Sequence, residues 1–130
     1  MNYITSADIT HAHIKQFPSE VIQPYVDEAN AHYIDIALQK GIMEAQITSA
    51  TPIVVSRCLS NYVVMRFAED SIGSNGVEVS DDDMYVKMSE RFSVVYEDLL
   101  KQLTPELIMG VSNNSQTARS VSTGKLWRTS

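Results

Sequence analysis

The sequence predicts an all-α fold: a small helical bundle of three main helices plus short terminal helices, with an extended C-terminal arm. Three observations predict it. Three long stretches carry apolar side chains at helical spacing or all round the helix. The starts of these stretches hold Ser, Thr, Asp or Pro, residues that helix N-termini accept. Glycines stand where helices should stop. At 130 residues the chain is near the common size of a single domain and long enough for a real core.

The elements follow in chain order. "YITSADITHAHI" gives a strand-like opening and then a short helix, with Thr5 or Ser6 as cap and Asp8 in the first turn. "FPSE" breaks the chain at Pro18. A stronger helix runs from Pro18 or Ser19 to Lys40, because Ile22, Tyr25, Val26, Ala29, Tyr33, Ile36 and Ala37 fall on one face. Gly41 is its expected stop. "IMEAQITSA" is a connector.

"TPIVVSRCLSNYVVMRFAED" starts a second helix, with Thr51 as cap and Pro52 at the first helical position. Its apolar residues leave little polar surface, which marks a helix packed on several sides. The valines of "PIVVS" and "NYVVM" also suit strands, but the Thr-Pro start and the length of the run favour helix. "SIGSNGVEV" is a loop with an Asn-Gly turn signal.

In "SDDDMYVKMSERFSVVYEDLLKQL", Ser80 is the expected cap and Asp81, Asp82 and Asp83 occupy the positive end. Met84, Met88, Phe92, Val95, Tyr96, Leu99 and Leu103 form the expected core stripe. Asp83–Lys87 and Glu97–Lys101 are the supporting pairs one turn apart. "TPELIMG" restarts a short helix at Thr104 and Pro105 and ends it at Gly110.

Charge divides the chain unevenly. Residues 1–110 hold all 16 acids and seven of the ten bases, a formal charge of 7 − 16 = −9. The last twenty, "VSNNSQTARSVSTGKLWRTS", hold no acid, three bases and the only tryptophan. A body this acidic is not expected to clamp duplex DNA, whose affinity comes mainly from basic groups meeting phosphates. It suits a surface that DNA slides past. No run reaches the roughly 18 apolar residues of a membrane span, and the N-terminus lacks a secretory pattern. The single Cys58 cannot form an internal disulfide and points to a reducing compartment.

Candidate sites are few. Asp81, Asp82 and Asp83 are consecutive, so their carboxylates diverge, and a helix start explains them better than a metal site does. His11, His13 and His32 lack zinc-ligand spacing and are expected at the surface or partly buried. Cys58 with His32 would make a thiol nucleophile only if the thiol were activated. It lies inside an apolar helix, where a thiol behaves as a small core residue. "GSNG" is too short for a phosphate loop and lacks its lysine. No cofactor and no enzymatic activity is expected.

The tail is different. Its Ser, Thr and Asn content fits disorder in isolation, yet Leu126 and Trp127 form an adjacent apolar pair, and tryptophan is a favoured binding anchor. Lys125 and Arg128 flank the pair, and Arg119 lies upstream. Arg119, Lys125, Leu126, Trp127 and Arg128 are therefore the candidate partner-binding residues. The expected division is a helical domain over 1–110 and an arm over 111–130.

Taken together, "YITSADI", "VIQPYVDEANAHYIDIALQKG", the "TP" before "IVVSRCLSNYVVMRFAED", and "YVKMSERFSVVYEDLLKQL" resemble the small head–tail connector (adaptor, or head-completion) proteins of tailed bacteriophages, over about residues 3 to 110. The resemblance implies a helical subunit repeated as a ring, usually of twelve copies. Such a ring sits beneath the portal protein in the neck of the virion, carries the tail or stopper protein, and lines the channel through which viral DNA passes without specific binding. It further implies that the arm grips the portal. Closing a ring by head-to-tail contacts requires two different complementary patches per subunit, and the apolar Ile53–Phe67 stretch is the expected source of the interface. The other class of function is a small cytoplasmic helical regulator or enzyme-accessory subunit. For a DNA-binding regulator, however, no helix here is basic.

Overall fold

The computed structural model describes residues 2–72 and 83–111. Four α-helices form the body: α1 (Ser19–Gln39), α2 (Ile53–Ser71), α3 (Met84–Leu100) and the short α4 (Pro105–Met109). Three 3-10 turns, at Ser6–Asp8, Ile14–Gln16 and Glu44–Gln46, lie between or before them. No strand occurs among the described residues, so the predicted all-α class is the observed one. The opening segment folds as two 3-10 turns joined by extended backbone, not as a strand and a helix. Asp8 is nonetheless placed as expected in the first turn, where its carboxylate accepts from the Thr5 amide at 2.7 Å.

The predicted face of α1 is the buried one. Ile22, Val26, Ala29, Tyr33, Ile36 and Ala37 are buried and Tyr25 is partly so. Pro24 stands inside the helix but on its solvent side, where water is available to the carbonyl it leaves without a donor. The end of α1 closes on itself. Gly41 takes φ +80° and donates to Leu38 O at 2.9 Å, while Ile42 donates to Ala37 O at 2.9 Å and buries its side chain. That pair of bonds satisfies two carbonyls of the last turn.

α2 is the central element and packs against both α1 and α3. Val55, Cys58, Leu59, Val63, Val64, Met65, Phe67 and Ala68 are buried, which is the all-round burial its composition predicts. Its start is one residue later than expected. Pro52 keeps an extended ψ of 152° and serves as the cap, its carbonyl accepting from Ser56 at 3.0 Å. Ring contacts fix the helix directions. Tyr25 meets Phe67 and His32 meets Tyr62, so α1 and α2 are antiparallel; Phe67 meets Tyr85 and Tyr62 meets Tyr96, so α2 and α3 are too.

α3 departs from expectation in two ways. Its cap is Asp83, whose carboxylate accepts from the Tyr85 amide at 2.8 Å. The helix therefore begins three residues later than a Ser80 cap would give; Ser80, Asp81 and Asp82 lie outside the described residues. The stripe is also only partly covered. Tyr96 and Leu103 are buried and Met88, Phe92 and Leu99 are half-buried, but Met84 and Val95 are exposed. Glu97 and Lys101 make no side-chain ion pair. A cluster of ion pairs gathers on Arg66, at the α1–α2 flank.

α4 is capped by Thr104, whose Oγ1 accepts from Leu107 at 3.2 Å, and ends at Gly110 with φ +75°. It docks on the connector before α2 through the Thr48 amide, which donates to Ile108 O at 3.0 Å. A Cβ at Gly110 would stand 2.8 Å from Thr48 Cβ, whereas one at Gly41 would meet nothing within 4 Å.

The opening segment is fastened by one side chain. Asn30 on α1 is buried; its Oδ1 accepts from the Tyr3 and Ile4 amides at 2.8 and 3.0 Å, and its Nδ2 donates to Ile4 O at 3.1 Å. Tyr3, Ile4, Ile9 and Ile14 thereby join the core.

Two stability predictions follow from these contacts. Asn30→Leu leaves two buried N–H groups and one carbonyl without partners and should cost about 2–4 kcal/mol in urea unfolding, with loss of exchange protection at Tyr3 and Ile4. Unchanged stability would show that the clamp is dispensable. Gly110→Ala should cost more than Gly41→Ala. Both carry the left-handed penalty of about 1–2 kcal/mol, and only the first also collides with Thr48. Equal melting temperatures for the two variants would refute this.

Candidate interaction surface

Two surface features stand out from the body, one polar and one apolar. The polar one gathers on the α1–α2 flank around Arg66. Its Nε donates to Glu28 Oε2 at 2.8 Å and its NH1 to Glu69 Oε1 at 2.6 Å, with Asp70 Oδ1 at 3.7 Å. Tyr62 OH donates to the same Glu28 oxygen at 2.5 Å, and Tyr25 OH donates to Asp70 at 3.0 Å. His32 stacks on Tyr62 with centroids 4.5 Å apart and shares a hydrogen bond with Tyr96 OH at 2.5 Å, which links α1 to α3 across α2.

These contacts move the titrations. Burial works to raise the Glu28 carboxyl, but the hydrogen bonds from Tyr62 and Arg66 and the charge of Arg66 outweigh it and hold the group below its ordinary value. Burial pushes Tyr62 up, helped by Glu28, and pushes Tyr96 up to about 12. Burial also lowers His32, against the opposing pull of Asp35 and Glu28. The Glu28 and Arg66 side chains are 40% and 29% exposed, so solvent screens the pair and its stabilisation is modest. The group is a latch between helices, with every charge answered.

The sequence-level candidates distribute as follows. His11, His13 and His32 are partly buried. His11 packs edge-on against Phe92, and His13 shares a hydrogen bond with Tyr85 OH at 2.9 Å. Cys58 is fully buried, and burial pushes its thiol up to about 12, so it is held as the neutral thiol. Among the described residues no group of three His, Cys, Asp or Glu side chains converges as a metal site would, and no helix is long and apolar enough to cross a membrane. Arg119, Lys125, Leu126, Trp127 and Arg128 lie outside the described residues.

The apolar feature lies on α3. Met84, Met88, Arg91 and Val95 succeed one another at steps of 4, 3 and 4, which is one helical stripe. With Lys87, Phe92 and His11, the first three of them line a shallow groove of about 370 Å³. Met84 is 49% and Val95 39% exposed, and Val94 beside them is 63% exposed. Three exposed large apolar side chains thus share one helix, while Val21, Leu38, Met43, Ile53 and Val111 are exposed elsewhere. Such surface was expected on α2, but α2 spends its apolar residues in the core and exposes only Ile53 among its large ones. The spacing on α3 was visible in the sequence; that Met84 and Val95 would be left exposed by the other described residues was not. Comparison with protein-family models, with curated proteins and with solved structures finds no match.

The latch gives a pH prediction. A carboxyl whose folded value is depressed contributes stability above its unfolded value, near 4.5, and loses it as pH falls through the folded value. Glu28→Gln should therefore flatten the acid limb of the stability–pH curve below about pH 4.5 and change little of its slope at pH 7. Parallel curves for the variant and the parent across that limb would count against the assignment.

Proposed function

We propose that this chain is a structural head-to-tail connector (adaptor) protein of a tailed bacteriophage. In this reading it forms a ring, of twelve copies in the usual case, beneath the portal protein in the virion neck, after synthesis in the host cytoplasm. It joins the DNA-filled capsid to the tail or stopper protein and lines the DNA channel. The supporting observation is the α3 stripe, where Met84, Val94 and Val95 stand exposed together on one helix. An element with an apolar stripe left open is a property of a subunit that finishes its packing against neighbours. The segment pattern over residues 3 to 110 agrees with this role.

The mechanism is structural. An acidic body presents a surface that repels the DNA backbone, so the genome passes without adhering. The basic tail, with Leu126 and Trp127 as anchors and Arg119, Lys125 and Arg128 as its charges, grips the portal. Ring symmetry multiplies each weak grip into avidity.

Binding to purified portal, followed by sedimentation and negative-stain microscopy, tests the reading. Trp127→Ala, or truncation after Gly124, should leave the helical body folded by circular dichroism and weaken attachment by at least about 30-fold per arm, the loss expected for a buried tryptophan anchor worth about 2 kcal/mol. Lys125→Glu with Arg128→Glu should weaken it less, and more so at low salt than at high. Intact chain that stays a free monomer beside portal would favour the regulator or accessory-subunit reading. A truncated chain that binds as well as the intact one would make the tail a passive terminus.

A further inference from the structure

We infer that the three histidines form an acid-sensitive seam that holds α3 to α1 and to the opening segment, so that acid loosens α3 while α1 and α2 stay packed. The inference goes beyond the connector reading and does not depend on it. Every imidazole of the chain meets an aromatic ring of α3. His11 lies edge-on to Phe92 with centroids 5.2 Å apart, His13 shares a hydrogen bond with Tyr85 OH at 2.9 Å, and His32 shares one with Tyr96 OH at 2.5 Å. Tyr85, Phe92 and Tyr96 follow one another at steps of 7 and 4, which is one side of α3. The backbone of α3 packs on α2. Two hydrogen bonds reach from α3 side chains to α1 and to the opening segment, and both end on imidazoles.

His32 joins three helices. It leaves α1, stacks on Tyr62 of α2 with centroids 4.5 Å apart, and meets Tyr96 of α3. The charged groups facing it are Glu28 and Asp35 on its own helix, which favour the imidazolium. Glu28 is already engaged by Tyr62 and Arg66 of α2, and α3 presents Tyr96 with Glu97 beside it. Burial outweighs the two carboxylates and lowers the imidazole below its ordinary value. His11 faces Lys87 and Arg91 on α3, Ser60 and Asn61 on α2, and His13 in its own segment. Burial lowers it, and the positive charges of His13 and Arg91 lower it further.

The sign follows from where the proton binds more easily. An imidazole released into water takes up a proton near its ordinary value of 6.5, and the same imidazole in the seam takes it up only at lower pH. The released state therefore binds more protons as pH falls below about 6.5, and acid favours release. The bond to Tyr96 is not what breaks, because a charged imidazole donates where a neutral one accepts. The cost is a charge held among rings and, at His11, beside Arg91. The α1–α2 seam rests instead on apolar burial and on Arg66 with Glu28, whose depressed carboxyl stays charged through this interval.

Amide exchange of the full chain, read residue by residue by NMR and corrected for its intrinsic pH dependence, tests this between pH 7 and pH 5. Protection over Met84–Leu100 should fall severalfold, and protection over Ser19–Gln39 and Ile53–Ser71 should fall less. His11→Gln with His32→Gln keeps a polar side chain at both positions without a titrating group, and should abolish the pH dependence over α3. Unchanged protection over α3, an equal loss in all three helices, or a double variant whose α3 still loosens with acid would each overturn the inference. The ring-proton titrations of the intact chain need no variant and decide the matter if the double variant does not fold. His11 and His32 should both titrate below 6.5, with the α3 amide shifts following them, and midpoints at or above 6.5 would overturn the inference.

Discussion

The Asn30 side chain is the joint on which the rest of the body depends. Three helices of this length do not close a core by themselves here, because the open side of α1 and α2 is covered by Tyr3, Ile4, Ile9 and Ile14 from a segment with almost no regular structure. Such a segment has few backbone hydrogen bonds of its own to offset the entropy of ordering it. Asn30 supplies three from within the core, pairing both amides and the carbonyl that would otherwise be buried unsatisfied. Tyr3 then sets its ring edge-on against Tyr33 at 4.8 Å, and Tyr33 is one of the largest fully buried side chains. One polar side chain thus determines whether four apolar residues are core or surface.

Much of this was legible in the sequence, for identifiable reasons. Helix-ending signals are local: Lys40-Gly41-Ile42 and Met109-Gly110-Val111 carry the left-handed glycine and the following residue whose amide closes the turn. The buried face of α1 is set by periodicity, which is equally local. Asn30 was missed because it is polar, although it stands one turn after Val26 and one position after Ala29, squarely on the buried face. A polar residue at a core position is itself a signal that some backbone needs it. The α3 cap was misplaced because Ser80, Asp81, Asp82 and Asp83 can all cap. Which of them does so is decided by which side chain reaches an amide, and Asp83 reaches Tyr85.

What the sequence could not reveal is coverage. Periodicity says which way a stripe faces along its own helix; it does not say whether another element lies opposite. The Met84–Leu103 stripe and the Ile22–Ala37 stripe look alike as patterns. The Ile22–Ala37 stripe is covered by the opening segment and by α2, while the Met84–Leu103 stripe packs on α2 and still leaves Met84 and Val95 exposed. The Arg66 latch was illegible for the same reason. Glu69 and Asp70 stand within one turn of Arg66, but Glu28 is 38 residues away, and only the antiparallel packing of α1 on α2 brings it to the guanidinium and to Tyr62.

The latch and the α3 stripe together explain why the two outer faces differ in kind. Arg66 is answered by Glu28, Glu69 and Asp70 at the α1–α2 seam. A base committed there cannot neutralise the outward acids of α1, so Glu20, Asp27 and Asp35 remain a row of like charge. On α3 the bases Lys87 and Arg91 stand among the exposed acids Glu90, Glu97 and Asp98. Exposed charges of this kind cost little while water and salt screen them. Apolar burial without such charges would favour any apolar neighbour equally. Charges without apolar burial would give an exposed ion pair of little net worth. Only the two combined on one surface give a contact that is both favourable and directional, and α3 carries both.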